Sequence, residues 1–352
     1  MKPYRVLNIT HNDLDGIAAG LAIRLAHTSL DHHVKTVFTG YDTLHEELYR
    51  GLTDKVGFDR IILSDISPKT PANKYKSVDD QWFVKFKIPD ALKAYSGEFV
   101  VLDHHAPQCF KVKDFYKPYL HPLSILEDKD NKGVPRAGSE LAWKYFKQVI
   151  RPNSVDFLTQ EALYKICELA GDYDTWRSPQ GFGTDWAIAV ELMNDCFTAM
   201  TEMENAIYAY HAHLEQDIQE CLSRTLFGTY IQVARQRLET ETKKAWDSKL
   251  NHTNNVTEIV IDFFPSVISS MVYEKLGGIV LIRYKKDRNC EQKISLRSHS
   301  SSNTHLGKLV SQFGGGGHHH AASLTVNASG TCTLDHLISE LVFSSQFETV
   351  KS

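Results

Sequence analysis

The stretch YRVLNITHNDLDGIAAG, residues 4–20, shows how the chain folds. An apolar run, YRVLNIT, ends on His11, Asp13 and Asp15, and GIAAGLAIRLAHTSL then continues with helical spacing. Strand followed by helix is how a unit of parallel α/β sheet begins. The alternation extends outward, with HVKTVFTG (33–40) as strand, LHEELYRG (44–51) as helix, and RIILSDIS (60–67) and FVVLDHH (99–105) as strands. The pattern predicts an α/β fold, a parallel sheet with helices on its faces. Its apolar runs stop on polar residues at 11, 65 and 103, at the carboxyl ends of strands, where open α/β sheets hold ligands.

A chain of 352 residues exceeds what one core fills, so two domains are expected. Residues 138–150 and 155–170 have helical spacing, the second predicted to stop at GDYDTW with Gly171 as its C-cap. A polar, helix-favouring stretch follows, and then a second α/β pattern: TEIVIDF, PSVISSMVYEKL, GGIVLIRYKK, EQKISLRSH and THLGKLVSQF. The predicted division is a catalytic domain at 1–190, a helical connector at 191–255 and a smaller domain at 256–352. The net charge of −4 provides no global attraction for nucleic acid, so any anion must meet a local site. Six dispersed cysteines without a CxxC pair indicate neither a disulfide framework nor a thiolate zinc site, and a reducing cytoplasm fits best. No signal-peptide core or membrane-spanning run is visible.

Alternation in extended chain would turn His11, Asp13 and Asp15 to one side. Such crowded carboxylates call for a cation, and mixed imidazole and carboxylate donors suit Mn²⁺, Fe²⁺, Co²⁺ or Zn²⁺. Asp65 ends the next apolar run, and LDHH adds Asp103, His104 and His105, of which one imidazole would ligate metal and the other face substrate. GDYDTW offers both Asp172 and Asp174. In FGGGGHHHAAS (313–323), glycines let backbone N–H groups approach a phosphate; Gly315, Gly316, Gly317 and His318 are the candidate donors, with Arg297 as a forked clamp.

The order HNDLDG, SD, DHH, GDYD, closed by FGGGGHHHAAS, resembles the DHH phosphoesterase superfamily, which includes RecJ-type exonucleases, nanoRNases and family II pyrophosphatases. The second domain is similar to that family's DHH-associated carboxyl-terminal domain, and the resemblance spans nearly the whole chain. Departures are small: alanine stands after the first motif where serine is frequent, and the last motif ends AAS rather than AAG. The resemblance implies two divalent ions, Mn²⁺ with Mg²⁺ or Co²⁺ as alternatives. One would be held by His11, Asp13 and Asp65, the other by Asp15, Asp65, His104 and Asp172, with Asp174 behind them. It also implies that His105 contacts the scissile phosphate and that Asp103 orients an imidazole.

The two-domain length and the DYDTW form look most like nanoRNase B-type oligoribonucleases. The resemblance therefore implies a cytoplasmic phosphodiesterase, a hydrolase that trims short single-stranded RNA or dinucleotides to 5′-mononucleotides, the second domain holding the substrate's far end. Its rivals are phosphoesterases of linear or cyclic dinucleotides or of 3′-phosphoadenosine 5′-phosphate, and a non-enzymatic nucleotide-sensing or RNA-binding module. No membrane partner is expected, and a homodimer is left open.

Overall fold

The computed structural model describes residues 3–68, 87–105, 116–151, 154–175, 177, 181–212, 217–251, 256–261, 267–268, 272, 279–284, 291–298, 304–313, 316–317, 321–327 and 336–341. They fall in two compact units, residues 1–232 and 233–352.

The first unit begins β1 (Arg5–His11), α1 (Leu14–Thr28), β2 (His33–Thr39), α2 (Leu44–Leu52), β3 (Arg60–Ser64), α3 (Ile88–Ala94), β4 (Glu98–Asp103) and β5 (Ile125–Leu126). These strands form one parallel sheet in the order β2-β1-β3-β4-β5. The predicted α/β class is the observed one. Side chains alternate across the sheet as its pleat requires. Val6, Ile62, Val100 and Leu102 join the core formed with α1, α4 (Gly138–Val149) and α5 (Phe157–Asp174). Leu7, Ile9, Ile61, Leu63, Phe99 and Val101 face the other way, into a core shared with α2 and α3. Both faces are covered, which is why the strands read as unbroken apolar runs. Ala18, Ala19 and Ala22 of α1 are fully buried, and these small side chains bring the helix close to the sheet.

Strand order reverses at β1, which has β2 on one side and β3 on the other. Connections leaving neighbouring strands in opposite directions open a crevice above their carboxyl ends. His11 ends β1 and Asp65 follows β3, so this crevice receives the candidate residues.

The helix read over 155–170 runs further than predicted. α5 continues to Asp174, and the N–H of its C-cap Thr175 bonds the Gly171 carbonyl. Gly171 is therefore inside the helix, where a Cβ would come within 2.9 Å of the Ala137 Cβ, a separation that side chains do not tolerate. It permits close packing and is not a cap.

Among the described residues, α6 (Phe182–Met193), α7 (Cys196–Ala212), α8 (Ile218–Ser223) and α9 (Leu226–Asp247) follow. Met200, Met203, Cys221 and Phe227 are buried in the same core as α1, so much of the polar stretch after residue 190 packs into the first unit, whose limit falls within α9.

The second unit holds β6 (Leu250–Asn251), β7 (Val256–Ile261), β8 (Ile279–Tyr284), β9 (Glu291–Ser298), α10 (Leu306–Ser311), β10 (Gly316–Gly317) and β11 (Ala321–Asn327). Its sheet has the order β10-β11-β9-β8-β7-β6, with β7 and β8 parallel and the other pairs antiparallel. Leu306, Leu309 and Val310 of α10 bury one helix face against Leu281, Leu296 and Leu324. Most of the predicted PSVISSMVYEKL helix lies outside the described residues. Among the described residues, no helix is long and apolar enough to cross a membrane.

Candidate metal centre

The paired strand ends at His11 and Asp15 lies in a helix, so strand alternation is not what gathers the first motif. Asp13 is the N-cap of α1, its Oδ1 accepting from the Gly16 N–H at 3.0 Å while Oδ2 lies 2.6 Å from His11 Nδ1. Asp15 sits in the first helical turn and is buried. Its two carboxylate oxygens accept from the backbone N–H groups of Gly138 and Ser139 at 2.7 and 3.2 Å, so it caps the amino end of α4 across the crevice.

The chain leaves β3 at Asp65 with φ of 57°, a left-handed conformation that aspartate tolerates better than most residues. The turn is held by the Asp65 N–H donating to the Leu102 carbonyl at 2.8 Å. Asp65 is 1% exposed, and Gly138 lies directly against it. A Cβ at position 138 would stand 2.4 Å from the Asp65 Cβ and 2.5 Å from its Oδ1, so only glycine fits there. Gly138→Ala is expected to lower stability by about 1–3 kcal/mol through overpacking and to displace the Asp65 carboxylate. Urea unfolding would give the first effect, and a weaker Mn²⁺ affinity by calorimetry the second.

β4 ends on Asp103, fully buried, which accepts at Oδ1 from His105 Nδ1 at 2.7 Å and at Oδ2 from the Ser67 hydroxyl. The backbone then turns His104 the other way. His104 Nε2 faces Asp65 Oδ1 at 3.2 Å and Asp174 Oδ2 at 3.3 Å.

This corrects the preference for Asp172. Because α5 continues through both residues, positions 172 and 174 point to opposite sides of the helix. Asp174 reaches the cluster, whereas Asp172 pairs with Arg177 at 2.9 Å, and Arg177 also bonds Glu140 at 2.9 Å. A helix ending at Gly171 would lack the periodicity that distinguishes the two acids.

Among the described residues three groupings result: His11, Asp13 and Asp65; Asp15, His104 and Asp174; and Asp65, His104 and His105. Within each, one donor atom per residue lies within 4.8 Å of the others. Asp65 belongs to two of them. Burial first, then the negative charges of Asp15, Asp13 and Asp174, push the Asp65 carboxyl well above the usual carboxylate range. Burial, followed by Asp15 and Asp13, does the same to Asp174. Burial holds the His104 imidazole below its ordinary value, which leaves it neutral with a lone pair to give. Asp65 Oδ1 and His104 Nε2 are buried and make no hydrogen bond. Mutually repelling acids with buried donor atoms that make no hydrogen bond at their centre are what a pair of divalent cations would satisfy, so the donor set fits.

The Asp103–His105 pair behaves differently. Burial opposes charge on both partners, but their mutual hydrogen bond outweighs it, holding the carboxyl below and the imidazole above their ordinary values. Asp103 thus fixes the orientation of His105. Three contributors escaped the sequence reading. Tyr41, just past β2, places its ring 5.6 Å from His11 and 6.0 Å from His105, centroid to centroid. Burial, then the charges of Asp103, Asp65 and Asp13, push its phenol pKa upward, so it stays protonated. Gly138 and Ser67 are the others, and only spatial contact reveals any of the three.

In the second unit, Arg297 on β9 donates from Nη1 to Ser295 Oγ at 3.0 Å and to the Leu296 carbonyl at 2.9 Å. Gly316 and Gly317 pair in the sheet with Ser323 and Ala322, while Gly315 and His318 lie outside the described residues.

No family profile and no curated protein matches the sequence. Solved structures do. The pGpG-specific phosphodiesterase PggH from Vibrio cholerae aligns with a TM-score of 0.55 at 12% identity, covering 98% of this chain and 99% of that one. RecJ from Thermus thermophilus in complex with Mn²⁺ aligns at 0.56 and 14% identity over 98% of this chain, which spans 53% of the RecJ length. The DHH domain of a protein described as belonging to a ribosomal-protein family aligns at 0.55 and 17% identity, covering 99% of this chain and 87% of that one. At these identities the shared property is the fold.

Proposed function

We propose that the chain is a metal-dependent phosphodiesterase that hydrolyses short oligoribonucleotides to 5′-mononucleotides. One observation carries the reading: Asp13, Asp15, Asp65 and Asp174 converge with His11 and His104 in the crevice above β1 and β3, and two buried donor atoms among them make no hydrogen bond. His11, Asp13 and Asp65 would hold one ion, and Asp15, His104 and Asp174 the second, with Asp65 between them. Two divalent cations, Mn²⁺ first and Mg²⁺ or Co²⁺ as alternatives, supply Lewis acidity toward phosphoryl oxygens and a water acidic enough to attack at neutral pH.

The chain's own groups do the rest. His105, oriented through Nδ1 by Asp103, keeps Nε2 for proton exchange with the substrate. Tyr41 offers a protonated phenol beside it. Arg297 and the glycines of 315–317 with His318 are proposed to bind substrate phosphate. That RecJ and a pGpG-specific phosphodiesterase share this fold supports a nuclease-like activity, and the match to PggH over almost its whole length favours substrates as short as a dinucleotide.

The test compares turnover of two- to five-mer RNA, a cyclic dinucleotide and 3′-phosphoadenosine 5′-phosphate under Mn²⁺. Linear RNA should be cleaved fastest, releasing 5′-mononucleotides. Strict preference for the bisphosphate or the cyclic compound would replace the proposed substrate, and no hydrolysis of any of them, with nucleotide still bound, would leave a sensing or RNA-binding module.

A further inference from the structure

The amino end of α7 abuts the loop that carries the first motif. Cys196 Sγ lies 3.6 Å from the carbonyl of Asn12, the residue between His11 and Asp13. Burial, then the negative charge of Asp13, pushes the Cys196 thiol up to about 11. The next residue, Phe197, is 52% exposed.

Phe197 is held firmly. Asp195 accepts from the N–H groups of Phe197 and Thr198 at 3.0 and 3.2 Å and from the Thr198 hydroxyl at 2.7 Å, so the helix end is already capped. Those amides and that carboxylate leave no vacancy for a phosphate, and the ring is the feature presented outward. Behind it, Phe38 of β2 meets Phe197 at 5.0 Å and 80°. Phe38 in turn lies over Gly20 of α1, 3.6 Å from where a Cβ would be, and pairs in register with Thr10, one residue before His11. A half-open aromatic ring, braced by a second ring and carried by a capped helix, thus stands beside the loop that holds His11 and Asp13.

We infer that Phe197, backed by Phe38, is the stacking platform for a nucleobase adjoining the phosphodiester cleaved at the metal centre. The inference rests on the phosphodiesterase reading for the identity of its ligand and names where that ligand's base is held. Stacking on an aromatic face is tolerant of base identity, so the platform positions nucleotides without selecting sequence.

Two measurements on full-length, Mn²⁺-loaded protein test it. In the first, calorimetry compares 5′-AMP with ribose 5-phosphate, which lacks the base. Wild type should bind 5′-AMP about tenfold more tightly, Phe197→Ala should bind both alike, and Phe197→Trp should restore the difference. In the second, the KM for a diadenylate should rise about tenfold in Phe197→Ala with kcat within about twofold, whereas an abasic dinucleotide analogue should show no change. Equal discrimination by wild type and Phe197→Ala, or failure of wild type to prefer 5′-AMP, overturns the platform even if hydrolysis is intact. Base-dependent, Phe197-dependent binding of 5′-AMP without hydrolysis of any diester would keep the platform and remove the hydrolase reading.

Discussion

Replacing His104 by alanine should lower turnover of short RNA by roughly a thousandfold or more, equivalent to about 4 kcal/mol of lost transition-state stabilisation. Its Nε2 lies between Asp65 and Asp174, two carboxylates that burial and mutual repulsion already disfavour as anions. Removing that neutral donor leaves the acids to protonate or to bind metal with one ligand fewer. Metal content measured by atomic emission should fall alongside rate, while the circular-dichroism spectrum is retained. Asp13→Ala should be equally damaging to rate, but it also removes the cap that Gly16 uses, a loss of about 1 kcal/mol in helix stability. His104 is therefore the cleaner position. Wild-type turnover in either variant would eliminate the site.

The second large effect separates two aspartates two residues apart. Asp174→Asn should reduce activity at least about a hundredfold and weaken Mn²⁺ binding, because it withdraws one anionic ligand of the Asp15, His104 and Asp174 grouping. Asp172→Asn should leave rate and metal content within about threefold. Its carboxylate serves Arg177 at the partly exposed edge of α5, where an ion pair contributes about 1 kcal/mol or less. Parallel metal titrations of the two variants give the comparison. The opposite ranking would show that the end of α5 is wound differently from the helix described above.

How much of the site was legible follows from what kind of contact each residue makes. His11, Asp65, Asp103 and His104 lie at or just past strand ends, and an apolar run that stops on a charged residue announces itself in one dimension. Asp174 stood only as one of two candidates because an α-helical phase has to be carried through GDYD to separate it from Asp172, and Gly171 suggests a stop. Tyr41, Ser67 and Gly138 carry no local signature at all. Each matters only through a neighbour remote in sequence: Tyr41 through His105, Ser67 through Asp103, and Gly138 through Asp65.

Periodicity, strand-terminal acids and helix spacing are local properties of the chain, and they sufficed to determine an α/β architecture and the rim on which the candidate residues gather. Which carboxylates meet was decided by packing across the crevice, where Asp15 caps α4 and the absence of a Cβ on Gly138 admits Asp65. The reason is one of range. Hydrophobic pattern acts over a few residues, whereas the repulsion that raises Asp65 comes from acids about fifty and more than a hundred residues away, brought together only when the sheet and helices close.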